Sequence, residues 1–280
     1  MTAHLGIERL ALVTGWSMGA GQTYQWAVSY PDMVERIAPF CGSSVTSEHN
    51  QVFLEAVKYA LTTDAAFRNG WYDEKPTLGL RAVGRMYAGW GLSPAFYWQQ
   101  IYKQLGYSSL EDYLIGYWEA LFLTDRDPND LLNQLWTWQN GDVGKTPGFD
   151  GDTEWALASI QAKALIMPAQ KDLYFPPEDE QWAAQFIPDA QVRVIPGVWG
   201  HFAGDGANLP MWRSSTRALR SCWPADRGCA RVGLFSSRRC AGGAVPRWSA
   251  VIGLAAQRDR IDVHLLRLHS RAVLAADPSG

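Results

Sequence analysis

One short stretch limits the folds open to this 280-residue chain more than any other. The apolar run Leu10-Ala-Leu-Val-Thr14 leads into Gly15-x-Ser17-x-Gly19 and then directly into a helix-like segment. This order predicts a buried strand, a sharp turn carrying Ser17, and a helix, which together lift a serine hydroxyl to the carboxyl end of a sheet. Such a turn strains the serine backbone and presses together the residues two positions away on each side. Glycine fits both places because it has no Cβ to clash.

The rest of the chain repeats the strand-then-helix logic around a long helical interval. Residues 9–15 read as a strand and 18–30 as the following helix, stopped by Pro31. Val34–Cys41 gives a second short strand. From about 44 to 158 the pattern is helical and rich in aromatics. Ala162–Pro168 and Gln191–Ile195 are two more short strands, separated by a helix over Pro177–Phe186. Strand–helix–strand units flanking a helical insertion predict an α/β fold with a mostly parallel sheet and a helical lid. The predicted division is a sheet core from 1–43 and 159–208, a lid over 44–158 and a tail over 209–280.

A serine hydroxyl is a poor nucleophile near neutral pH and needs a base, itself oriented by an acid. Asp172 stands four residues past the strand ending at Pro168, and His201 stands just beyond the strand ending at Ile195. Both fall in loops at strand carboxyl ends, where open α/β sheets place their sites. Asp179 and Glu178 compete with Asp172 for the acid's role. The other histidines, His4, His49, His264 and His269, lack a strand-end loop. Trp71, Trp90, Trp98, Trp118, Trp136 and Trp138 lie in the lid, where they either line an apolar pocket over Ser17 or pack helix on helix.

These motifs, taken in order, resemble the homoserine O-acetyltransferase family of α/β-hydrolases. The likeness rests on Ser17-Met-Gly with Gln22, Trp26-Ala and Tyr30-Pro31, then Asp64, Gly70-Trp-Tyr72 and Pro76 with Gly79-Leu80, then Asp172 through Pro177, and Gly200-His201. It covers about residues 9–208. It implies an α/β-hydrolase fold and acyl transfer through a Ser17 acyl-enzyme, with Asp172 and His201 as partners and the Met18 N–H in the oxyanion hole. The hydrolase-like members match best. Two departures bear on the substrate. Lys58 stands where the acetyltransferases place an arginine for the homoserine carboxylate, and lysine cannot grip a carboxylate with two prongs. Phe202 follows the histidine where the family has an aspartate for the substrate amino group. Homoserine is therefore not the expected acceptor; water or another alcohol is.

The expected partner is a small ester or acyl donor, with no cofactor and no metal, and with acyl-CoA as an optional co-substrate. No apolar run reaches the roughly 18–20 residues that span a bilayer, and a cytoplasmic protein is the default expectation. The resemblance also predicts further strands before Ser17. Their absence reads as a truncation that removes the second oxyanion donor and leaves an apolar strand edge open to homo-oligomerisation.

Composition shifts abruptly near Asn208. Residues 209–280 hold twelve Arg, no Lys, four Asp and no Glu, a formal +8, against −11 for the rest. Such a tail resembles a gene read out of frame, and its expected structure is irregular apart from one candidate amphipathic helix over 249–275. The competing readings are a basic arm for nucleic acid or anionic lipid, or an inactive family remnant. A nucleic-acid partner is not the expectation.

Overall fold

The computed structural model describes His4 and residues 6–124, 126–204 and 253–256. Strand β1 (Leu10–Trp16) buries alternate side chains and passes through Ser17 into helix α1 (Met18–Ser29). Strand β2 (Arg36–Phe40) follows. Eight helices come next: α2 (Glu48–Thr62), α3 (Thr77–Gly91), α4 (Pro94–Trp98), α5 (Ile101–Gln104), α6 (Leu110–Tyr113), α7 (Ala120–Thr124), α8 (Pro128–Gln139) and α9 (Thr153–Ala158). A π-helical stretch, Leu114–Glu119, joins α6 to α7. The chain then returns to the sheet with β3 (Lys163–Ile166), α10 (Pro177–Ala184) and β4 (Ala190–Val192).

Local chemistry sets the helix starts. The Ser47 hydroxyl accepts from the Asn50 N–H ahead of α2. The Asp127 carboxylate accepts from the N–H groups of Asn129 and Asp130 ahead of α8, where Pro128 occupies the first turn. Each cap satisfies donors that the helix itself leaves unpaired.

The strands lie in the order β4-β3-β2-β1, all parallel, so their carboxyl ends point one way. A fifth strand, β5 (Gly253–Ala256), pairs antiparallel with β1, Val13 opposite Leu254 and Thr14 opposite Gly253. Two sequence expectations change here. The outer edge of β1 is paired, and residues 253–256 are strand, not part of a helix over 249–275. The backbone donors and acceptors along β1 explain this preference, because an unpaired edge costs hydrogen bonds that any extended segment can supply. The rest of the Arg-rich segment lies outside the described residues.

One face of the sheet packs Leu10, Val13, Ile37 and Ile166 against Tyr24 and Val28 of α1, Leu157 of α9 and Ile187. On the other face Phe40, Leu165, Met167, Ile195 and Ala203 form a smaller cluster. The helical insertion has its own core, which includes Phe53, Leu80, Phe96, Tyr113, Trp118 and Trp138 and reaches Tyr174, Phe175 and Phe202. That continuity binds the insertion to the loops at the carboxyl end of the sheet.

Candidate active site

Ser17 sits at φ 61°, ψ −130°, a left-handed conformation that a non-glycine residue adopts only under constraint. The constraint is visible in the glycines around it. A Cβ on Gly15 would fall 2.1 Å from the Gly19 carbonyl oxygen, and one on Gly42 would fall 2.6 Å from the Ser17 carbonyl oxygen. The Ser17 N–H donates to Phe40 O at 3.0 Å, which ties the turn to the end of β2. Although Ser17 occupies the N-cap position of α1, its hydroxyl makes no capping bond and is not consumed by the helix.

Asp172 lies past β3, buried, and three donors converge on its carboxylate. Oδ1 accepts from the N–H groups of Tyr174 (2.9 Å) and Phe175 (3.1 Å). Oδ2 faces His201 Nδ1 at 2.8 Å. A buried carboxylate with this many donors is well satisfied. Because the carboxylate only accepts, Nδ1 carries the proton and the Nε2 lone pair is left for other work. Glu178, one competitor for the acid position, is exposed, and Asp179 is half-buried.

His201 is buried in a short 3₁₀ turn, Gly200–Ala203. Its ring is held between aromatic surfaces: Trp16 stacks on it at 4.7 Å, while Tyr174 meets it edge-on at 5.0 Å. Trp16 Nε1 also donates to the His201 carbonyl oxygen at 3.1 Å. The residue before Ser17 thus holds the histidine. No hydrogen bond joins Ser17 to His201 themselves; they are brought together through Trp16. The turn is further shaped by Gly200 at φ 57°, whose Cβ would fall 2.9 Å from the Ser93 N, and by the Ser93 hydroxyl, which donates to Val198 O at 2.5 Å.

The two residues singled out for substrate lie differently. Phe202 is buried, its ring edge-on to Trp118 (5.6 Å) and to Trp16 (6.3 Å). Lys58 is tied to Glu55 Oε1 (2.7 Å) and Gln139 Oε1 (3.2 Å). The tryptophans divide as well. Trp71, Trp98 and Trp136 face solvent, whereas Trp118 and Trp138 are core. Trp90 packs on Phe53 and His49.

His49, set aside in the sequence for lacking a strand-end loop, is delivered to the acid loop by helix α2, where Nε2 lies 3.0 Å from Leu173 O. Glu180 and Tyr24 went unnoticed. The signal for Glu180 was its place on the inward stripe Glu180–Ala183–Ile187, where an apolar residue is the norm.

With this geometry in place, comparison with known proteins decides the family. A family model described as alpha/beta hydrolase fold matches residues 1–205. The chain belongs to the alpha/beta hydrolases. It is 38% identical over 213 residues to an ethyl acetate hydrolase of Pseudomonas veronii, a match covering 75% of this chain and 60% of that one. It is 32% identical over 210 residues to a homoserine O-acetyltransferase of Trichormus variabilis, covering 71% and 56%. The crystal structure of the acetyl esterase MekB superposes with a TM-score of 0.75 at 37% identity, covering 79% of this chain and 64% of that chain. The chain therefore spans a little over half the length of the curated relatives it matches. Among the described residues, no helix is long and apolar enough to cross a membrane, and no group of three or more side chains forms a metal site.

Proposed function

We propose that this alpha/beta hydrolase is a serine-dependent carboxylic-ester hydrolase or O-acyltransferase working through a Ser17 acyl-enzyme. The observation that carries the reading is the buried Asp172–His201 hydrogen bond, with the His201 ring stacked on the residue that precedes the strained Ser17. In this reading His201 Nε2 takes the Ser17 hydroxyl proton as the oxygen attacks the ester carbonyl. Asp172 holds the imidazolium that forms, and the Met18 N–H supports the oxyanion. The proton passes to the departing alkoxide, and the acyl group stays on Ser17 Oγ. Water or a second alcohol, deprotonated by His201, then releases it.

Similarity to the ethyl acetate hydrolase and the acetyl esterase favours a short acyl group. Homoserine is disfavoured as acceptor: Lys58 is engaged with Glu55 and Gln139, and Phe202 offers an ammonium only an apolar ring. The reaction needs no cofactor, and acyl-CoA is an optional donor. Purified protein and Ser17→Ala, assayed side by side on p-nitrophenyl acetate, test the reading. A rate that disappears with the serine supports it, and equal rates overturn it. Adding methanol then measures how the acyl-enzyme divides between water, which gives acetate, and an alcohol, which gives methyl acetate: mostly acetate favours the hydrolase branch and mostly ester the transferase branch.

A further inference from the structure

The most completely buried acidic side chain outside the Asp172–His201 pair is Glu180, on α10, eight residues past Asp172. Three segments meet at its carboxyl. Tyr24, itself fully buried on α1 two turns beyond Ser17, donates its hydroxyl to Glu180 Oε2. The backbone N–H of Gly42, past the end of β2, favours the charged form of the same carboxyl. Gly42 is in turn the residue pressed onto the Ser17 carbonyl and Ala20. One carboxyl therefore touches the helix that follows the serine, feels the turn that backs the serine, and belongs to the segment that carries the acid.

We propose that Glu180 is a positioning residue, its carboxyl tying α10 to the Ser17 turn and so setting the span between the serine and the Asp172–His201 pair. The inference rests on the triad reading above. Glu180 does not touch the reacting atoms; it acts through Tyr24 and Gly42.

The groups facing this carboxyl determine its charge. Tyr24 from α1 and the Gly42 N–H favour the ionised form, whereas burial, Asp179 on the same helix and Asp172 on the acid loop oppose it. Burial dominates and pushes Glu180 up to about 8. Its Oε1 has no hydrogen-bond partner among the described residues, a heavy cost for a carboxylate and a smaller one for a neutral acid. Near neutral pH the tie is thus a neutral carboxyl. Raising the pH through about 8 ionises it beside Asp172 and Asp179; the Tyr24 bond favours that charge, but burial and repulsion by the two neighbouring acids outweigh it and disturb the acid loop. The folded state holds this proton more tightly than the unfolded chain does. Its contribution to stability is therefore complete below the ordinary carboxyl value of 4.5 and is lost as pH rises through about 8.

Glu180→Gln, Glu180→Leu and Tyr24→Phe, compared with the wild type and Ser17→Ala, test the proposal. Glutamine keeps an acceptor for Tyr24 and cannot ionise, so Glu180→Gln retains kcat at pH 7 and lacks the alkaline fall of the wild type around pH 8. Leucine keeps bulk without the tie, so Glu180→Leu loses about 10- to 100-fold in kcat, the scale of a misplaced reacting group, with KM nearly unchanged. Tyr24→Phe moves kcat in the same direction. Wild-type kcat in Glu180→Leu, or the same alkaline limb in the wild type and Glu180→Gln, overturns the proposal. Melting temperatures supply a readout independent of activity: the difference between Glu180→Gln and the wild type grows in favour of the variant from pH 4.5 to 8. Should the wild type match Ser17→Ala, the acyl-transfer reading fails. The melting comparison then decides alone, and a pH-independent difference overturns the neutral tie. Where Glu180→Leu fails to fold, the two Glu180→Gln measurements settle the matter.

Discussion

Trp16 holds His201 twice, by its ring, stacked at 4.7 Å, and by its indole N–H, which donates to the histidine carbonyl at 3.1 Å. The side chain immediately before the serine therefore orients the candidate base. Trp16→Phe keeps a ring for stacking and removes the donor. The expected result is a fall in kcat of about 2- to 10-fold, the worth of one ordinary hydrogen bond, with a larger fall for Trp16→Ala. Steady-state kinetics on a chromogenic acetate ester measure both.

Asp172→Asn separates orientation from packing. The amide oxygen still accepts from Tyr174 and Phe175, but its nitrogen now presents a donor to His201 Nδ1. The imidazole must then carry its proton on Nε2, where it cannot accept from a serine. The expected loss is about 10⁴ in kcat, as for the same exchange in serine triads. A melting curve close to wild type shows that the loss is chemical.

Two glycines give opposite outcomes. Gly15→Ala places a methyl 2.1 Å from the Gly19 carbonyl oxygen at the turn that ends β1, and nothing there can give way without moving Ser17. It is expected to cost more than about 4 kcal/mol, in the range of severe core lesions, and to appear as a collapse in soluble yield or melting temperature. Gly89, exposed on α3, has nothing within 4 Å of an added Cβ. Gly89→Ala is expected to stabilise by about 0.5–1 kcal/mol through helix propensity.

The tryptophans of the insertion divide in the same way. Trp118, 1% exposed, fills the core beside Gly91 and Phe202. Trp118→Ala is expected to cost about 3–5 kcal/mol and to lower kcat by freeing Phe202 beside His201. Trp98 is 87% exposed, and Trp98→Ser is expected to stay within about 0.5 kcal/mol of wild type. Chemical denaturation of the two variants measures the contrast.

What could be read from the sequence was whatever short-range chemistry dictates. The elbow turn needs Gly15 and Gly19 beside Ser17, and apolar runs followed by polar loops place Asp172 and His201 at strand ends. β1, β2 and β3 fall within one or two residues of their expected bounds at each end, and β4 ends before Ile195, which keeps only an isolated bridge to Ala169. What escaped depends on distant partners. Pairing of β5 with β1 joins segments some 240 residues apart and leaves no local pattern. The exposure of Trp98 and Trp136 follows from which helix face meets the core, and Trp71 lies in a loop where no periodicity applies. Glu180 is intelligible only once Tyr24 stands opposite it.

The left-handed Gly200, packed against Ser93, has a practical meaning for protein engineering. The curve of the histidine turn is moulded by the stretch between α3 and α4. An insertion grafted from another scaffold onto this sheet would have to bring that stretch along, or the donor sheet's own histidine turn with it. The insertion is therefore not a modular part of such chimaeras: exchanging it also resets the turn that carries His201.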